Sequence, residues 1–325
     1  MTSSEELNAE RDALIARYRA LGMTAQADAL ERGAPMRPPL VRAPMIIDTD
    51  VGGDPDDAVA LVAAAALVPE LRLVLTSDEH GGERARFARH LLDLAGRPDV
   101  SVVAGREVSP RTPYWHADGL VPASVGAQPT DVIAAVGAVC AEAVGPVRWV
   151  GMGPLSNLAD VLAARPELAE RFALTQMGGA LNYRDPSRAQ HNFRLDVAAV
   201  RAVLPAVPRP RLVTSDVTFR PEMALTRESP EYALLVRPGA PAWAPFLVAH
   251  LERWYADAHP ASMQHDALTL AEAMQLPFVQ SSLLDVVIDE KGRTGLEGDG
   301  LPVKCFLSRR ADYPAFRRWL EKALS

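Results

Sequence analysis

Several functional classes are excluded by what this chain of 325 residues lacks. It has only two cysteines, Cys140 and Cys305, far apart and outside any metal-ligand spacing, which argues against a disulfide framework and for buried thiols in a reducing compartment. It has no excess of positive charge: 34 Lys and Arg against 41 Asp and Glu give a net charge of -7, so a nucleic-acid partner, which needs a basic face, is not expected. A small neutral or anionic ligand stays open. It has no long hydrophobic run, since the longest apolar stretch, 58–68, is too short to span a bilayer, so no membrane partner is expected. The opening MTSSEELNAERD has neither the basic nor the apolar region of a signal peptide, so the expected location is cytoplasmic. What remains, 48% hydrophobic and 23% charged, is the balance of a globular protein that can bury a sizeable core. The length does not force two large domains.

Leu7, Leu14, Ile15, Tyr18 and Leu21 recur at helical spacing with Glu, Arg and Asp between them, which predicts a helix over 4–32. The run GAPMRPPLVRAP cannot continue it. Residues 1–43 are therefore read as a helical arm and Pro-rich linker, and 44–325 as the main domain. From Met45 onward the pattern alternates. Strands are expected over 45–50, 71–76, 100–104, 147–152, 174–177 and 211–213, and helices over 58–68, 83–95, 132–144 and 158–164. This predicts an α/β fold with a mostly parallel, Rossmann-like open sheet and helices on both faces. Ligands of such sheets bind outside the carboxyl ends of the strands. Each motif below begins at such an end.

The segment from Ile46 to Ala58 is the most informative. Asp48, Asp50, Asp54, Asp56 and Asp57 fall between an apolar strand and an apolar helix, with Gly52 and Gly53 allowing a tight turn. Carboxylates this dense need a cation, protons or full solvation to coexist. An all-oxygen set with flexible geometry suits calcium better than magnesium. Local structure explains part of the cluster. Asp54 before Pro55 reads as an N-cap, and Asp56 and Asp57 sit where a helix dipole favours anions. It leaves Asp48 and Asp50, on the strand side, unexplained.

The run DTDVGGDPDDAVAL resembles the N-terminal signature of nucleoside hydrolases, DTDxG followed by DDA. The resemblance implies that Asp50 and Asp57 bind calcium, that Asp50 is also the general base, and that Asp56 contacts the ribose 2′-hydroxyl. Gly153-Pro154-Leu155-Ser156-Asn157 resembles the family's GPLTN segment. As sequence it is a Gly-Pro turn with Ser156 or Asn157 capping the next helix. By resemblance the carbonyl of Met152, just before it, is a calcium ligand; its thioether is a poor one. Met177-Gly178-Gly179 and the later Gln190-His191-Asn192-Phe193 resemble the MGG and EFN segments. Asn192 would bind ribose hydroxyls. Gln190 stands where the family has a glutamate reaching the 5′-hydroxyl, and it can donate or accept but carries no charge. Gln264-His265-Asp266-Ala267 resembles the HDP or HDA motif, which makes Asp266 the remaining carboxylate ligand and His265 the acid that protonates the leaving base.

The clearest departure is Asp78-Glu79-His80, where the family usually shows a glycine and an asparagine. It is either a solvated acidic loop or a remodelled sugar or base pocket, to which His80 would contribute. Trp115, Tyr114, Trp254 and Tyr255 are aromatic candidates for stacking on a base. The resemblance implies hydrolysis of the N-glycosidic bond of a ribonucleoside to free base and ribose, calcium as cofactor, a small nucleoside as partner, and a homo-oligomer, dimer or tetramer. Two alternatives stand beside it. One is a family member that binds a ribosyl ligand without hydrolysing it. The other is a magnesium phosphatase of the haloacid dehalogenase type, which Gly52-Gly53 and the DDA run fit poorly.

Overall fold

The computed structural model describes residues 4–20, 22–32, 40–109, 115–257 and 259–325. The chain divides into two compact units, Met1–Arg42 and Ala43–Ser325, against the division after residue 43 expected from sequence. In the first unit the single helix expected over 4–32 is two, Ser4–Ala20 and Thr24–Arg32. Gly22 stops the first by adopting φ +71°. Its N–H donates to the Arg19 carbonyl at 3.0 Å and that of Met23 to the Tyr18 carbonyl at 2.9 Å, the paired bonds of a Schellman C-cap. Most of the Pro-rich linker lies outside the described residues; Leu40–Arg42 forms a 3₁₀ turn.

Among its described residues the second unit contains eleven strands: β1 Met45–Thr49, β2 Leu71–Thr76, β3 Ser101–Ala104, β4 Val147–Gly151, β5 Phe172–Met177, β6 Arg211–Val213, β7 Ala224–Leu225, β8 Ser262–Met263, β9 Val279–Ile288, β10 Thr294–Gly295 and β11 Leu301–Ala311. Nine form one sheet in the order β10-β9-β11-β6-β5-β4-β1-β2-β3, and β7 pairs with β8 alone. The sheet is parallel from β11 to β3; β9 and β10 add an antiparallel end. The mostly parallel open sheet is as expected from sequence, and the long β9–β11 pairing was not foreseen.

Alternation along the strands builds two cores. Ile46, Leu73, Leu75 and Trp149 face helices Val132–Glu142, Ser156–Ala164 and Val197–Ala206. Met45, Ile47, Val74 and Val150 face helices Asp56–Leu67, Glu83–Leu94, Ala244–Ala256, His265–Ala273 and Tyr313–Ala323. Neighbouring Ile46 and Ile47 thus serve opposite faces, as the two-residue period of a strand requires. Among the described residues no helix is long and apolar enough to cross a membrane.

From β1 the chain winds outward through β2 to β3, then returns to place β4 on the other side of β1. The carboxyl ends of β1 and β4 are therefore a topological switch point, where doubly wound sheets open a crevice. Asp48 pairs with Gly151 there, and the Met152 N–H donates to the Asp48 carbonyl at 2.7 Å.

Leu61, fully buried where the first helix of this unit meets the sheet, tests the packing. Leu61→Ala should lower the unfolding free energy by about 2–5 kcal/mol in chemical denaturation. A loss within experimental error would place Leu61 outside the cooperative core.

Candidate active site

Residues 50–55 join β1 to helix Asp56–Leu67, and their carbonyls are held by groups around the loop. Arg84 donates to the carbonyls of Asp50 and Val51, the latter at 2.9 Å, and through Nε to that of Asp78 at 2.7 Å. The His116 N–H donates to the Gly52 carbonyl at 2.7 Å, and Nε2 of buried His250 lies 3.1 Å from that of Gly53. Gly52 is obligatory on two counts: its φ is +105°, and a Cβ would lie 2.2 Å from the Trp115 ring. Gly153 is required by approach alone, since its Cβ would meet Ser77 Oγ at 2.4 Å and Asp50 Oδ1 at 3.1 Å.

With the backbone so held, the acidic side chains converge. Asp56 and Asp57 open one helix and Asp266 lies in the first turn of His265–Ala273, packed beside it. One oxygen from each of the three lies within 4.8 Å of the others. The Asp266 N–H donates to Asp56 Oδ2 at 3.4 Å across 210 positions of chain, and the Thr49 hydroxyl donates to Asp57. Asp266 Oδ1 is buried without a hydrogen-bond partner. Asp50 and Asp54 line the same cavity, of about 770 Å³. An all-oxygen set with one unsatisfied buried oxygen fits a hard divalent cation. The three-carboxylate grouping includes Asp56, which the resemblance assigned to ribose; Asp50 stands beside it.

Burial is the largest cause of the carboxyl shifts. It raises Asp56, Asp57 and Asp266 well above the usual carboxylate range, with mutual repulsion adding to it. Asp50 is raised to about 6 by burial, against the pull of Arg84. Asp54 is raised to about 7 by burial, against the Ser262 hydroxyl that donates to it. Asp48 is raised to about 8, again by burial, and accepts from Asn157 Nδ2 at 2.9 Å.

Three local readings are corrected here. Asp54 is not at the cap position, which is Pro55 with no side-chain bond; its carboxylate accepts from the Ser262 hydroxyl and also from the Asp56 and Met263 N–H groups. Neither Ser156 nor Asn157 caps its helix. Ser156 donates to Asp196 at 2.7 Å, while Asn157 donates to Asp48 and, at 3.0 Å, to the Thr76 carbonyl, tying β1 to β2. The Asp78-Glu79 loop is not solvated. Glu79 is buried and accepts from the N–H groups of His80 at 2.8 Å, Arg84 at 2.9 Å and Ala85 at 3.2 Å, satisfying the start of helix Glu83–Leu94. Asp78 is also buried, accepts from the Ser109 N–H at 2.8 Å and faces Arg84 at 4.0 Å.

Met152, Gln190, Asn192 and His265 line the cavity with the aspartates. Asn192 Nδ2 donates to the Met152 carbonyl and, at 3.1 Å, to that of Met177. Gln190 accepts from the Phe193 N–H at 3.3 Å as a helix cap and donates to Met177 Sδ at 3.2 Å. His265 Nδ1 lies 2.6 Å from Thr218 Oγ1, and burial, with Arg184 adding to it, lowers its pKa to about 3. The ring is therefore neutral near pH 7. His80 is the predicted site residue left out; it is exposed, outside the cavity, with its ring 5.4 Å from that of Trp115. Trp115 backs Gly52, and the Tyr255 hydroxyl donates to the Leu225 carbonyl at 3.0 Å. Trp254 lines the cavity, stacked on His259 at 3.8 Å, and Tyr114 lies outside the described residues. Arg84, Arg184 and Phe219, which also line it, had no distinguishing motif.

Three comparisons bear on this arrangement. The family model described as inosine-uridine preferring nucleoside hydrolase matches residues 45–317. A pyrimidine-specific ribonucleoside hydrolase, RihA, of Klebsiella pneumoniae is 28% identical over 202 residues, 54% of this chain and 64% of that protein. A Salmonella paratyphi C protein of the same description is 30% identical over the same shares, so the match spans less than two thirds of these relatives. An inosine-uridine preferring nucleoside hydrolase structure from Bacillus anthracis superposes with TM-score 0.68 at 20% identity, over 87% of this chain and 99% of that one. A purine-preferring ribonucleoside hydrolase from Gardnerella vaginalis gives 0.69 at 22%, over 86% and 97%. These likenesses show a shared fold.

The raised carboxyl groups set a pH dependence. Asp48, Asp50 and Asp54 titrate at about 8, 6 and 7 when folded, against 3.8 as the ordinary value. Between roughly pH 4 and 8 the folded state thus holds more protons than the unfolded chain, and stability falls as pH rises. Thermal midpoints of chelator-treated protein should drop across that window, and millimolar calcium should restore them at its upper end. Midpoints indifferent to both pH and calcium would contradict the cluster.

Proposed function

The chain belongs to the inosine-uridine preferring nucleoside hydrolase family, and on that premise we propose that it hydrolyses the N-glycosidic bond of a ribonucleoside or related N-riboside to free base and ribose. The observation that carries the reading is the meeting of Asp266 with Asp56 and Asp57 beside Asp50, at the mouth of the β1–β4 switch point.

The side chains divide the work. Asp50 takes a proton from the attacking water; its pKa of about 6 leaves it ionised, and basic, at neutral pH. Asp50, Asp57, Asp266 and the Met152 carbonyl would hold calcium, with Asp56 turned to the ribose 2′-hydroxyl. When bound, the ion supplies Lewis acidity toward water and hydroxyl oxygens. Asn192, fixed by the Met152 and Met177 carbonyls, orients the sugar, with Gln190 in the same lining. The surrounding carboxylates favour positive charge developing on the ribosyl group.

His265 acts at the leaving base. Its ring is neutral, and in the tautomer where Nδ1 accepts from the Thr218 hydroxyl the imidazole carries its proton on Nε2. It then offers the departing base a hydrogen bond from a neutral N–H. The presence of Asp50, Asp56, Asp57, Asp266 and His265 in one cavity favours catalysis over ligand binding alone.

A reducing-sugar assay over a panel of nucleosides should detect ribose release that a calcium chelator stops and added calcium restores. Release insensitive to the chelator would argue against the metal, and no release from any nucleoside against the reaction. Asp50→Asn should lower kcat by roughly 10²- to 10⁴-fold with an unchanged circular dichroism spectrum. Near-normal turnover by the folded variant would remove Asp50 from its role.

A further inference from the structure

The cavity has two electrical characters. Besides the carboxylates, Arg184, Arg220 and Phe219 line it. Arg184 holds its guanidinium 5.0 Å from the centre of the Phe219 ring and 5.6 Å from that of Tyr183. Among the described residues it forms no ion pair with a carboxylate. Asp216, the lining carboxylate outside the cluster, is engaged elsewhere. It accepts from the N–H groups of Leu181 at 2.8 Å and Asn182 at 2.9 Å, and from Asn182 Nδ2 at 3.1 Å. Arg220 reaches the Tyr313 hydroxyl. His191, in the same lining, lies 3.1 Å from Arg194 Nη2, and its field is dominated by Arg194, Arg84, Arg184 and Arg188.

This positive wall stands close to the chemistry. Phe219 lies nearly parallel to the His265 ring, at 6° and 6.2 Å between centres, and His265 adjoins Asp266. A cation, an aromatic ring and the proposed leaving-group donor thus run in sequence toward the carboxylates. A neutral nucleoside leaves Arg184 without a counter-charge. A ligand carrying negative charge would be repelled by the aspartates and drawn to this wall, which fixes its direction in the cavity.

We propose that the N-riboside acted on here carries an oxyanion, a phosphate or a carboxylate, which Arg184 receives with Arg220 beside it. The guanidinium fork suits either group. A cavity of about 770 Å³ is large enough for a nucleoside with such a substituent. The inference rests on the N-ribohydrolase reading and narrows its substrate.

The test compares kcat/KM for uridine, uridine 5′-monophosphate and orotidine in the wild type and in Arg184→Gln. The first anion carries its charge on the sugar and the second on the base, so the favoured one locates the oxyanion. At least one should exceed uridine, and Arg184→Gln should lower the anion-to-neutral ratio by roughly 10- to 100-fold. Arg184 is exposed, so its replacement disturbs no core. Uridine preferred over both anions, or a ratio untouched by the substitution, would overturn the inference. Calorimetric binding of uridine 5′-monophosphate and orotidine against uridine reads the same subsite without turnover. If nothing is hydrolysed, the proposed reaction fails, while the calorimetric preference and its loss in Arg184→Gln still decide the oxyanion site.

Discussion

Asp48, Asp50, Asp54, Asp56, Asp57 and Asp266 are withdrawn from water around one crevice, and desolvation raises the cost of ionising each of them. Little of the surrounding structure is independent of that repulsion. Asp56, Asp57 and Asp266 occupy first turns of helices, where the N-terminal dipole offsets negative charge. Arg84, almost wholly buried, lowers the pKa of Asp50 and Asp57 while its donors fix the loop that presents them. One guanidinium therefore acts on both the charge balance and the backbone shape.

The parts of this structure that were legible in the sequence depend on periodicity or on density of one residue type. The short apolar run over 45–50 announced a strand, which the structure buries on both faces, and five aspartates so close together announced a cation or proton site. The illegible parts depend on what a polar residue meets across space. Asp78 and Glu79 look like a solvated loop until Arg84 and the start of a helix are placed against them. Asp48 looks like its neighbours, yet its carboxyl is committed to Asn157. Gly22 divides the first helix by a left-handed turn that a hydrophobic count passes over. The β9–β11 pairing was hidden because Gln280, Ser282, Pro302 and Lys304, exposed on β9 and β11, dilute the apolar pattern.

Sequence distance and function are related in a simple way. The acidic residues that were recognisable as a group lie on one loop, while their complements, Met152, Asn192 and Asp266, come from later strand ends and helix starts. The positive wall is marked by no motif, because Arg184 and Arg220 acquire meaning only once Phe219 and the rest of the cavity lining are placed beside them.

The rims of the sheet have a consequence of their own. The outermost strands are β10, of two residues, and β3, of four. The last residue of β3 already gives its N–H to the Pro129 carbonyl at 2.8 Å. At the other border β10 pairs only with Val287 and Ile288 of the ten-residue β9, so among the described residues the outer side of β9 before them has no strand partner, and strand addition would find its template there.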